Sequence, residues 1–351
     1  MTIIDSDAHV VETPETWSYM TGEDEAFRPE IFIRSESDNA PRGNNRRKEF
    51  WVIDDHLIAK GANQGNDVPA DSRDMVSVQS RLDHMDELGA DIAILYPTMW
   101  LRPMTKEFDV EYALCKSYNR WLADIWKQSN NRLRWAVIPP LLSLIDKPKV
   151  RDELVFAKEH GAVSIFMRGM ESDRLLSHRY FFPLYEMAQE LDLAVTLHTG
   201  INSFAVHDAY GQDAALLRAK LPCAAAFATL LSDEIPSRFP GVRWAFIEAS
   251  ALWLPFMLTE AKLRLQRKGR RLADDAMAAN RLYVTTQMTD DIPSIVNAVG
   301  DDNLLIGTDY GHSDTATDIE AMKRLGSEGG IPQASVDKIL QANPAQLYGL
   351  N

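Results

Sequence analysis

The amino-acid sequence predicts an α/β protein folded as a (β/α)8 TIM barrel. Three observations predict it. Eight short, β-rich apolar runs are bounded by Gly, Pro, Asn or Asp, segments with helical periodicity separate them, and ionisable residues end the first, fifth, sixth and eighth runs. In a closed barrel such residues can lie all around the ring of strand ends, whereas an open doubly wound sheet would gather them near its middle. We therefore prefer the barrel.

The predicted strands are separated by segments long enough to hold a helix. Several strands are apolar almost throughout, for example at 92–95, which is typical of parallel strands covered on both faces. Helical periodicity is clear at 76–88, before the second strand, and at 182–191, before the fifth. The eight predicted strands are residues 3–7, 91–97, 134–138, 162–167, 194–198, 243–248, 282–286 and 304–309.

One long segment interrupts this alternation after the first strand. Residues 13–75 far exceed an ordinary βα loop of about 2–6 residues. Within them, 50–53 and 56–59 flank the two-residue turn Asp54-Asp55, which predicts a β-hairpin. We interpret 13–75 as a lid inserted into a single barrel domain that spans residues 1–351.

Two further segments complete the predicted organisation. Residues 202–223, after the fifth strand, are polar and precede an Ala-rich helix near 224–231. Residues 335–347 predict a closing helix that Asn343-Pro344 interrupts, because proline cannot donate a helical hydrogen bond.

Composition and charge restrict the function. The chain has 351 residues, 45% of them hydrophobic, and its net charge of −14 disfavours nucleic acid and anionic membrane surfaces. Cys115 and Cys223 fit no zinc-ribbon or redox spacing, and no targeting segment is apparent, so we expect a cytoplasmic protein. No dinucleotide, P-loop or serine-hydrolase motif follows a strand. We expect a small-molecule substrate, and a homodimer only by analogy with other barrels.

Four strand-end residues predict a metal site. Asp7 and His9 alternate with Ala8, so both side chains point to the same side of an extended backbone. By itself this pair is typical of a surface carboxylate beside a core histidine. His198 and Asp309, however, also end buried runs, where an unpaired ionisable group would be costly. Two carboxylates and two imidazoles that converge form a suitable site for a divalent cation.

Other polar residues are candidates for catalysis or substrate binding. Glu248 ends the sixth strand, and we leave three roles open for it: hydrogen-bond partner of a ligand, general base, or partner of an arginine. His312 is a catalytic candidate, and Arg168 is either a donor to a substrate carboxylate or carbonyl or a structural ion-pair partner.

The aromatic residues near the strand ends favour a flat or apolar substrate. Tyr310 and Trp51 are the substrate-binding candidates among them, although each is equally typical of a packing residue.

Parts of the sequence resemble a known family. Four segments carry the resemblance: DSDAHVVE at 5–12, TLHTG at 196–200, FIEAS at 246–250 and GTDYGHSD at 307–314. They resemble the amidohydrolase superfamily, and within it the branch that includes aminocarboxymuconate-semialdehyde decarboxylase and the resorcylate and carboxyvanillate decarboxylases. The resemblance runs from the first strand to the C-terminal helix, apart from the lid. It is specific for the superfamily and weak for the substrate.

The resemblance implies one divalent ion, with Zn2+ first and Mn2+ as the alternative. Its implied ligands are Asp7, His9, His198 and Asp309. Binuclear relatives bridge two metals with a carboxylated lysine at the end of the fourth strand, where this chain has Arg168, so one metal is expected.

The sequence departs from the decarboxylases on the sixth strand. Those enzymes carry a histidine near the position of Ala249, and here the nearest polar side chain is Glu248. Glu248 or His312 would have to replace that imidazole.

The leading functional prediction is a mononuclear metal-dependent hydrolase. A metal-activated water would attack an amide, ester, lactone or related carbonyl, Asp309 would accept its proton, and Glu248 or His312 would assist. The alternative is a non-oxidative, metal-dependent decarboxylase of an aromatic or unsaturated carboxylic acid. A catalytically silent binding barrel is a third hypothesis, and the complete ligand set argues against it.

Overall fold

The computed structural model describes residues 2–34, 48–61, 63–210 and 216–350. Its strands form two sheets, one of eight strands and one of three. The strands are β1 Ile4–Val10, β2 Glu30–Arg34, β3 Lys48–Ile53, β4 His56–Ala59, β5 Ile92–Pro97, β6 Leu133–Val137, β7 Ala162–Arg168, β8 Ala194–His198, β9 Trp244–Ile247, β10 Leu282–Thr286 and β11 Leu304–Ile306.

The eight-stranded sheet is a (β/α)8 barrel, as predicted. Its order is β1-β5-β6-β7-β8-β9-β10-β11, and every pair of neighbours is parallel. The ring is closed where the chain after β11 meets β1. There the Asp309 N–H donates to the Asp7 carbonyl at 2.8 Å, and the His9 N–H donates to the Tyr310 carbonyl at 2.9 Å. This closure brings the carboxyl end of the last strand against the middle of the first.

Helices surround the barrel and cover its apolar strands. They are α1 Ala70–Arg73, α2 Val78–Leu88, α3 Phe108–Gln128, α4 Lys147–Glu159, α5 Phe182–Glu190, α6 Phe204–Ala209, α7 Leu221–Ser232, α8 Ile235–Arg238, α9 Leu254–Arg267, α10 Ala276–Ala279, α11 Ile292–Val299, α12 Ala321–Glu328, α13 Gln333–Asp337 and α14 Asn343–Tyr348. Within the described parts of the chain, every helix is too short or too polar to span a lipid bilayer.

Shorter helical turns join these elements. The 3-10 turns are Pro14–Trp17, Gly22–Phe27, Met99–Leu101, Leu142–Ile145 and Arg179–Phe181, and the π-helical turns are Leu216–Lys220 and Lys338–Ala342. The second π turn joins α13 to α14 without a break. The predicted closing helix is therefore continuous, and its helical turns are wider just before Pro344. The missing N–H of Pro344 accounts for that widening.

Three of the predicted strand ends differ from the structure at residues of the candidate site. β1 continues past the predicted end at residue 7 to Val10, because residues 8–10 pair with residues 95–97 of β5 and the His9 N–H donates to the Tyr310 carbonyl. β9 ends at Ile247 and β11 at Ile306, before Glu248 and Asp309. Glu248 and Asp309 adopt φ values of 63° and 52°, a left-handed conformation that ends a strand and is costly for residues other than glycine.

The predicted hairpin is present, and it belongs to a larger sheet than predicted. β3 and β4 pair antiparallel around Asp54, which has a φ of 53°. β2 adds a third strand, which the sequence prediction missed because its five residues are all exposed and lack the alternation of a half-buried strand. Residues 35–47 of the predicted lid lie outside the described residues.

A buried glutamate on α3 links two helical segments. Glu111 accepts a hydrogen bond from the Leu142 backbone N–H at 2.7 Å. Burial raises the pKa of its carboxyl group to about 8. The folded protein therefore holds a proton on Glu111 at pH values where the unfolded chain has released it.

This proton makes the free energy of unfolding depend on pH. Because the folded state binds the extra proton, stability falls as pH rises from the ordinary glutamate range to about 8, by at most about 1.4 kcal/mol per pH unit. The variant Glu111→Gln, which keeps the acceptor oxygen, should lack this loss. Urea unfolding of both proteins from pH 5 to 8 tests this expectation. Parallel pH profiles would contradict it.

Candidate metal centre

The first and last strands of the barrel supply the core of the site. Asp7 and His9 lie on β1, and Asp309 follows β11. The Thr308 N–H and hydroxyl both donate to Asp5, at 3.0 and 2.5 Å, and so tie β11 to β1. Gly307 makes this approach feasible, because an added Cβ there would lie 2.2 Å from the Asp7 Cβ.

Two histidines face the same point with the same ring nitrogen. His9 Nδ1 is 3.1 Å from the Pro97 carbonyl oxygen, and His198 Nδ1 is 3.1 Å from the Thr199 carbonyl oxygen. Because a carbonyl only accepts, each Nδ1 carries the hydrogen. In the neutral rings both Nε2 lone pairs therefore point into the site. A backbone carbonyl that fixes the ring in this way is typical of metal-binding histidines.

The spacing between the imidazoles and the carboxylates fits a bound cation better than direct hydrogen bonds. His9 Nε2 is 3.4 Å from Asp7 Oδ1, 3.5 Å from Glu248 Oε2 and 3.4 Å from Asp309 Oδ1. His198 Nε2 is 3.3 Å from both Asp7 Oδ1 and Glu248 Oε2. Charge-assisted hydrogen bonds are shorter, at about 2.7–2.9 Å.

These distances match the ligand shell of a single ion. Two ligands bonded at about 2.1 Å to one ion stand about 3.4 Å apart when they subtend the tetrahedral angle. In addition, the site contains buried polar atoms that have no hydrogen-bond partner among the described residues, including His9 Nε2 and Glu248 Oε2. The residues present therefore fit a divalent cation.

The carboxylates of the site repel one another. Burial raises the pKa of Glu248 well above its ordinary value, and the charges of Asp309, Asp314 and Asp7 raise it further. Burial also raises the pKa of Asp309, although His312 opposes this shift. Burial acts in the same direction on Asp7, but the neighbouring imidazoles of His198 and His9 outweigh it and hold the pKa of Asp7 low. A cation is therefore needed for all three carboxylates to be ionised together.

His312 lies beside this group in a defined tautomer. The Thr98 hydroxyl donates to the Val10 carbonyl at 2.8 Å, and its oxygen is 2.9 Å from His312 Nε2. Since a hydroxyl has one hydrogen, Nε2 must be the donor in this second contact. His312 Nδ1 then faces Asp309 Oδ1 at 2.8 Å, a contact that is an ion pair when the ring carries a proton on both nitrogens.

A second glutamate positions Thr98. Glu12 is buried and accepts the backbone N–H groups of Thr98 and Met99, each at 3.1 Å. Neither Glu12 nor Thr98 is among the site residues predicted from the sequence. Glu12 lies in the DSDAHVVE segment that carried the family resemblance, which is the one signal that could have pointed to it.

The structure brings the predicted ligands together in two overlapping groups. Asp7, His9 and His198 share one group with Glu248, and Asp309 lies in the other with His9, Glu248 and His312. In each group the ligand atoms lie within 4.8 Å of one another. Of the three roles left open for Glu248, the arginine pair is wrong, because its ion-pair partners among the described residues are His9 and His198.

The three predicted substrate-binding residues lie in other contacts. Arg168 donates to both oxygens of Glu171 and to the carbonyls of Trp100 and Arg102. It therefore has the structural role that the sequence analysis left as its alternative.

The two aromatic candidates are packing residues in this structure. Tyr310 is buried, its hydroxyl is 2.7 Å from His84 Nδ1, and the Arg81 guanidinium lies 3.5 Å from its ring centre. Trp51 is buried against Trp17 in an edge-to-face contact. Neither residue lines the large cavity beside the metal centre.

That cavity has a volume of about 760 Å³ and opens onto Glu248. Three cationic residues line it, Arg102, Arg218 and Lys220, together with the acidic residues Glu248 and Asp314. Lys220 Nζ donates to the Thr315 hydroxyl at 3.0 Å. Sequence reasoning missed these residues, because they lie on loops and turns with no motif, and only the fold places them over one strand end.

Comparison with known proteins agrees with this site. The family model described as amidohydrolase matches residues 4–350. The chain belongs to the amidohydrolase family. A comparison with curated proteins finds no match.

Solved structures similar to this amidohydrolase-family chain share its fold. An amidohydrolase from Mycobacterium avium subsp. paratuberculosis K-10 has a TM-score of 0.77 and 18% identity, covering 100% of this chain and 98% of that one. A 5-carboxyvanillate decarboxylase from Novosphingobium aromaticivorans DSM 12444, complexed with manganese and 4-hydroxy-3-methoxy-5-nitrobenzoic acid, has a TM-score of 0.67 and 16% identity, covering 99% and 96%. A 2,6-dihydroxybenzoate decarboxylase complexed with 2,6-dihydroxybenzoate has a TM-score of 0.66 and 16% identity, covering 100% and 99%.

The site predicts that a divalent ion stabilises the fold. At a free ion concentration of about 100 times its dissociation constant, the free energy of unfolding should rise by about 2.7 kcal/mol over the chelator-treated protein. The variant His198→Ala should lose most of this gain. Thermal unfolding with and without Mn2+ or Zn2+ measures it. His178→Ala, which removes an exposed histidine outside the site, is the control and should keep the full gain.

Proposed function

We propose that this chain is a divalent-metal-dependent, non-oxidative decarboxylase of a small aromatic or unsaturated carboxylic acid. The observation that carries the proposal is a metal-binding group of buried carboxylates and imidazoles at one end of a cavity with a cationic lining. A metal ion in this group could polarise an oxygen atom of the substrate. The cationic lining suits a substrate that is itself an anion.

The cationic lining is unusual for this protein. Its net charge is −14, yet Arg102, Arg218 and Lys220 line the same cavity. Among the described residues, neither guanidinium has a carboxylate in ion-pair contact. Burial lowers the pKa of Arg102, and the nearby charge of Arg218 lowers it further. A substrate carboxylate would relieve both effects and would accept several charge-assisted hydrogen bonds.

The comparisons support the same choice. Two of the similar structures are decarboxylases of aromatic carboxylic acids, one of them with manganese bound. Identities of 16% support the fold rather than the substrate. Together with the cationic cavity, they support the decarboxylase more than the hydrolase that the sequence predicts. We also give Mn2+ equal standing with Zn2+ as the ion.

The proposed reaction breaks one carbon–carbon bond. A divalent ion held by Asp7, His9, His198 and Asp309 would supply Lewis acidity toward the substrate's oxygen atoms. Arg102 and Arg218 would hold and orient the substrate through a carboxylate. Carbon dioxide leaves without the bonding electron pair, which remains on the substrate carbon and takes up a proton.

The pair formed by His312 and Asp309 is the proposed source of that proton. His312 Nδ1 and Asp309 Oδ1 lie 2.8 Å apart, close enough to hold a proton between them beside the metal centre. Thr98 fixes the ring by its contact with Nε2, so this proton stays on the side that faces the site. This pair takes the role of the imidazole that is missing near Ala249.

A lid role for residues 13–75 forms part of the proposal. Gly65 in this segment donates its N–H to the Gly311 carbonyl at 2.8 Å, and Gln64 forms an isolated bridge with His312. An added Cβ on Gly65 would lie 2.1 Å from the His312 carbonyl oxygen. The segment is therefore held directly against a proposed catalytic residue, where it can exclude water.

A metal-dependent hydrolase remains the second candidate, and one observation favours it. Glu248 lies where the decarboxylases carry a histidine, and a carboxylate next to a metal centre is suited to activating water. In this version Asp309 accepts the proton of the attacking water, and Glu248 or His312 assists.

Product analysis separates the two candidates. The metal-loaded protein should release carbon dioxide from one or more members of a panel of aromatic hydroxy acids and unsaturated carboxylic acids. It should form no new acid from a panel of esters, amides and lactones. The opposite result rejects the decarboxylase. Protein treated with a chelator is the control in both arms.

Substitution of the cavity arginines should weaken substrate binding. Arg102→Gln and Arg218→Gln each remove a charged donor, so kcat/KM should fall by about 10- to 100-fold, mainly through KM. Arg267→Gln, an exposed arginine on α9, should have no effect. Steady-state kinetics with the best substrate of the panel provide the measurement. An unchanged KM in both cavity variants would remove the cationic cavity as the carboxylate site.

A further inference from the structure

We propose that Glu248 is itself a ligand of the metal ion, so that the site has three carboxylates and two imidazoles: Asp7, Glu248, Asp309, His9 and His198. This inference rests on the metal dependence in the proposed function, and it does not depend on which reaction the protein catalyses. It assigns Glu248 to holding the ion rather than to handling protons.

The position of Glu248 relative to both histidines supports this role. Its Oε2 atom is 3.5 Å from His9 Nε2 and 3.3 Å from His198 Nε2, and Asp7 Oδ1 lies at the closely similar distances of 3.4 and 3.3 Å from those two atoms. Asp7 and Glu248 are therefore equivalent in their distances to the two imidazoles. An ion that contacts Asp7, His9 and His198 would also lie within reach of Glu248.

Glu248 also connects the two groups of potential ligands. It occurs both in the group with Asp7 and His198 and in the group with Asp309 and His312. Apart from His9, it is the one residue common to both. A carboxylate in this position links the ligands from the first strand and β8 with the ligand that follows the last strand.

The backbone around Glu248 is built to hold its carboxylate in place. Its φ of 63° turns the chain at the end of β9, its N–H donates to the Thr285 hydroxyl at 2.9 Å, and its carbonyl accepts from Gln287 Nε2 at 3.1 Å. The side chain is 2% exposed, and Oε2 has no hydrogen-bond partner among the described residues. A buried, unpartnered oxygen at a turn that two backbone hydrogen bonds hold in place fits the role of a metal ligand.

A charge-conserving comparison tests this role. Glu248→Gln removes the charge, and Glu248→Asp keeps the charge but withdraws the oxygen by one methylene group. If Glu248 is a ligand, both variants should bind Mn2+ at least about tenfold more weakly than the unaltered protein, because loss of even an outer partner of a ligand costs about 10- to 100-fold. Calorimetric titration of the chelator-treated proteins measures the affinity.

Three controls make the result interpretable. Glu111→Gln removes another buried glutamate outside the site and should bind Mn2+ with unchanged affinity. The unfolding temperature of each metal-free variant reports whether it folds. The EPR spectrum of bound Mn2+ should change in Glu248→Gln and Glu248→Asp but not in Glu111→Gln.

The outcomes separate this inference from the proposed function. If the unaltered protein binds no divalent ion, the proposed function fails and this inference with it. If it binds Mn2+ and Glu248→Gln binds equally well with the same spectrum, Glu248 is not a ligand, and the proposed function stands. Weak binding in Glu248→Gln with full affinity in Glu248→Asp would also overturn the inference, because it shows that charge alone matters.

Discussion

The arrangement of this protein depends on one electrostatic constraint. Three buried carboxylates, those of Asp7, Glu248 and Asp309, face two imidazole nitrogens whose lone pairs point at them. In a low-dielectric interior, such a group is unfavourable unless a positive charge lies within it. Extra protons on the rings would supply that charge, but the separations of 3.3–3.5 Å are too long for good ion-pair hydrogen bonds. A divalent ion would offset the charge of the three carboxylates and would accept the lone pairs of both imidazole nitrogens.

The contacts that close the barrel lie beside this group of carboxylates. The Asp309 N–H donates to the Asp7 carbonyl, and Thr308 donates twice to Asp5. Ligands from opposite ends of the sequence are thus fixed by backbone contacts between the first and last strands. Because β10 and β9 lie next along the ring, the bend at Glu248 also opens toward the same point. The contacts that close the barrel therefore also bring the site residues together.

The surroundings of the metal centre divide into two chemically different sides. On one side, Thr98, Glu12 and His312 form a buried network that fixes the imidazole ring. On the other side, Arg102 and Arg218 line an open cavity with positive charge. An anionic substrate drawn to the arginines would therefore reach the metal centre from the cavity side, next to Glu248. The positive charge on the cavity side is the reason that we favour decarboxylation over hydrolysis.

The sequence by itself determined the barrel, the hairpin at 50–59 and the residues that meet at the strand ends. Strand periodicity and local polarity are local properties, so they are visible without the fold. Tertiary structure decided what depends on contacts between distant segments. It extended β1, ended β9 and β11 before Glu248 and Asp309, and placed Arg168, Tyr310 and Trp51 in packing contacts. It also brought Arg102 and Arg218 into one cavity and Glu248 within ligand distance of two histidines, because only chain closure sets the distances between residues far apart in sequence.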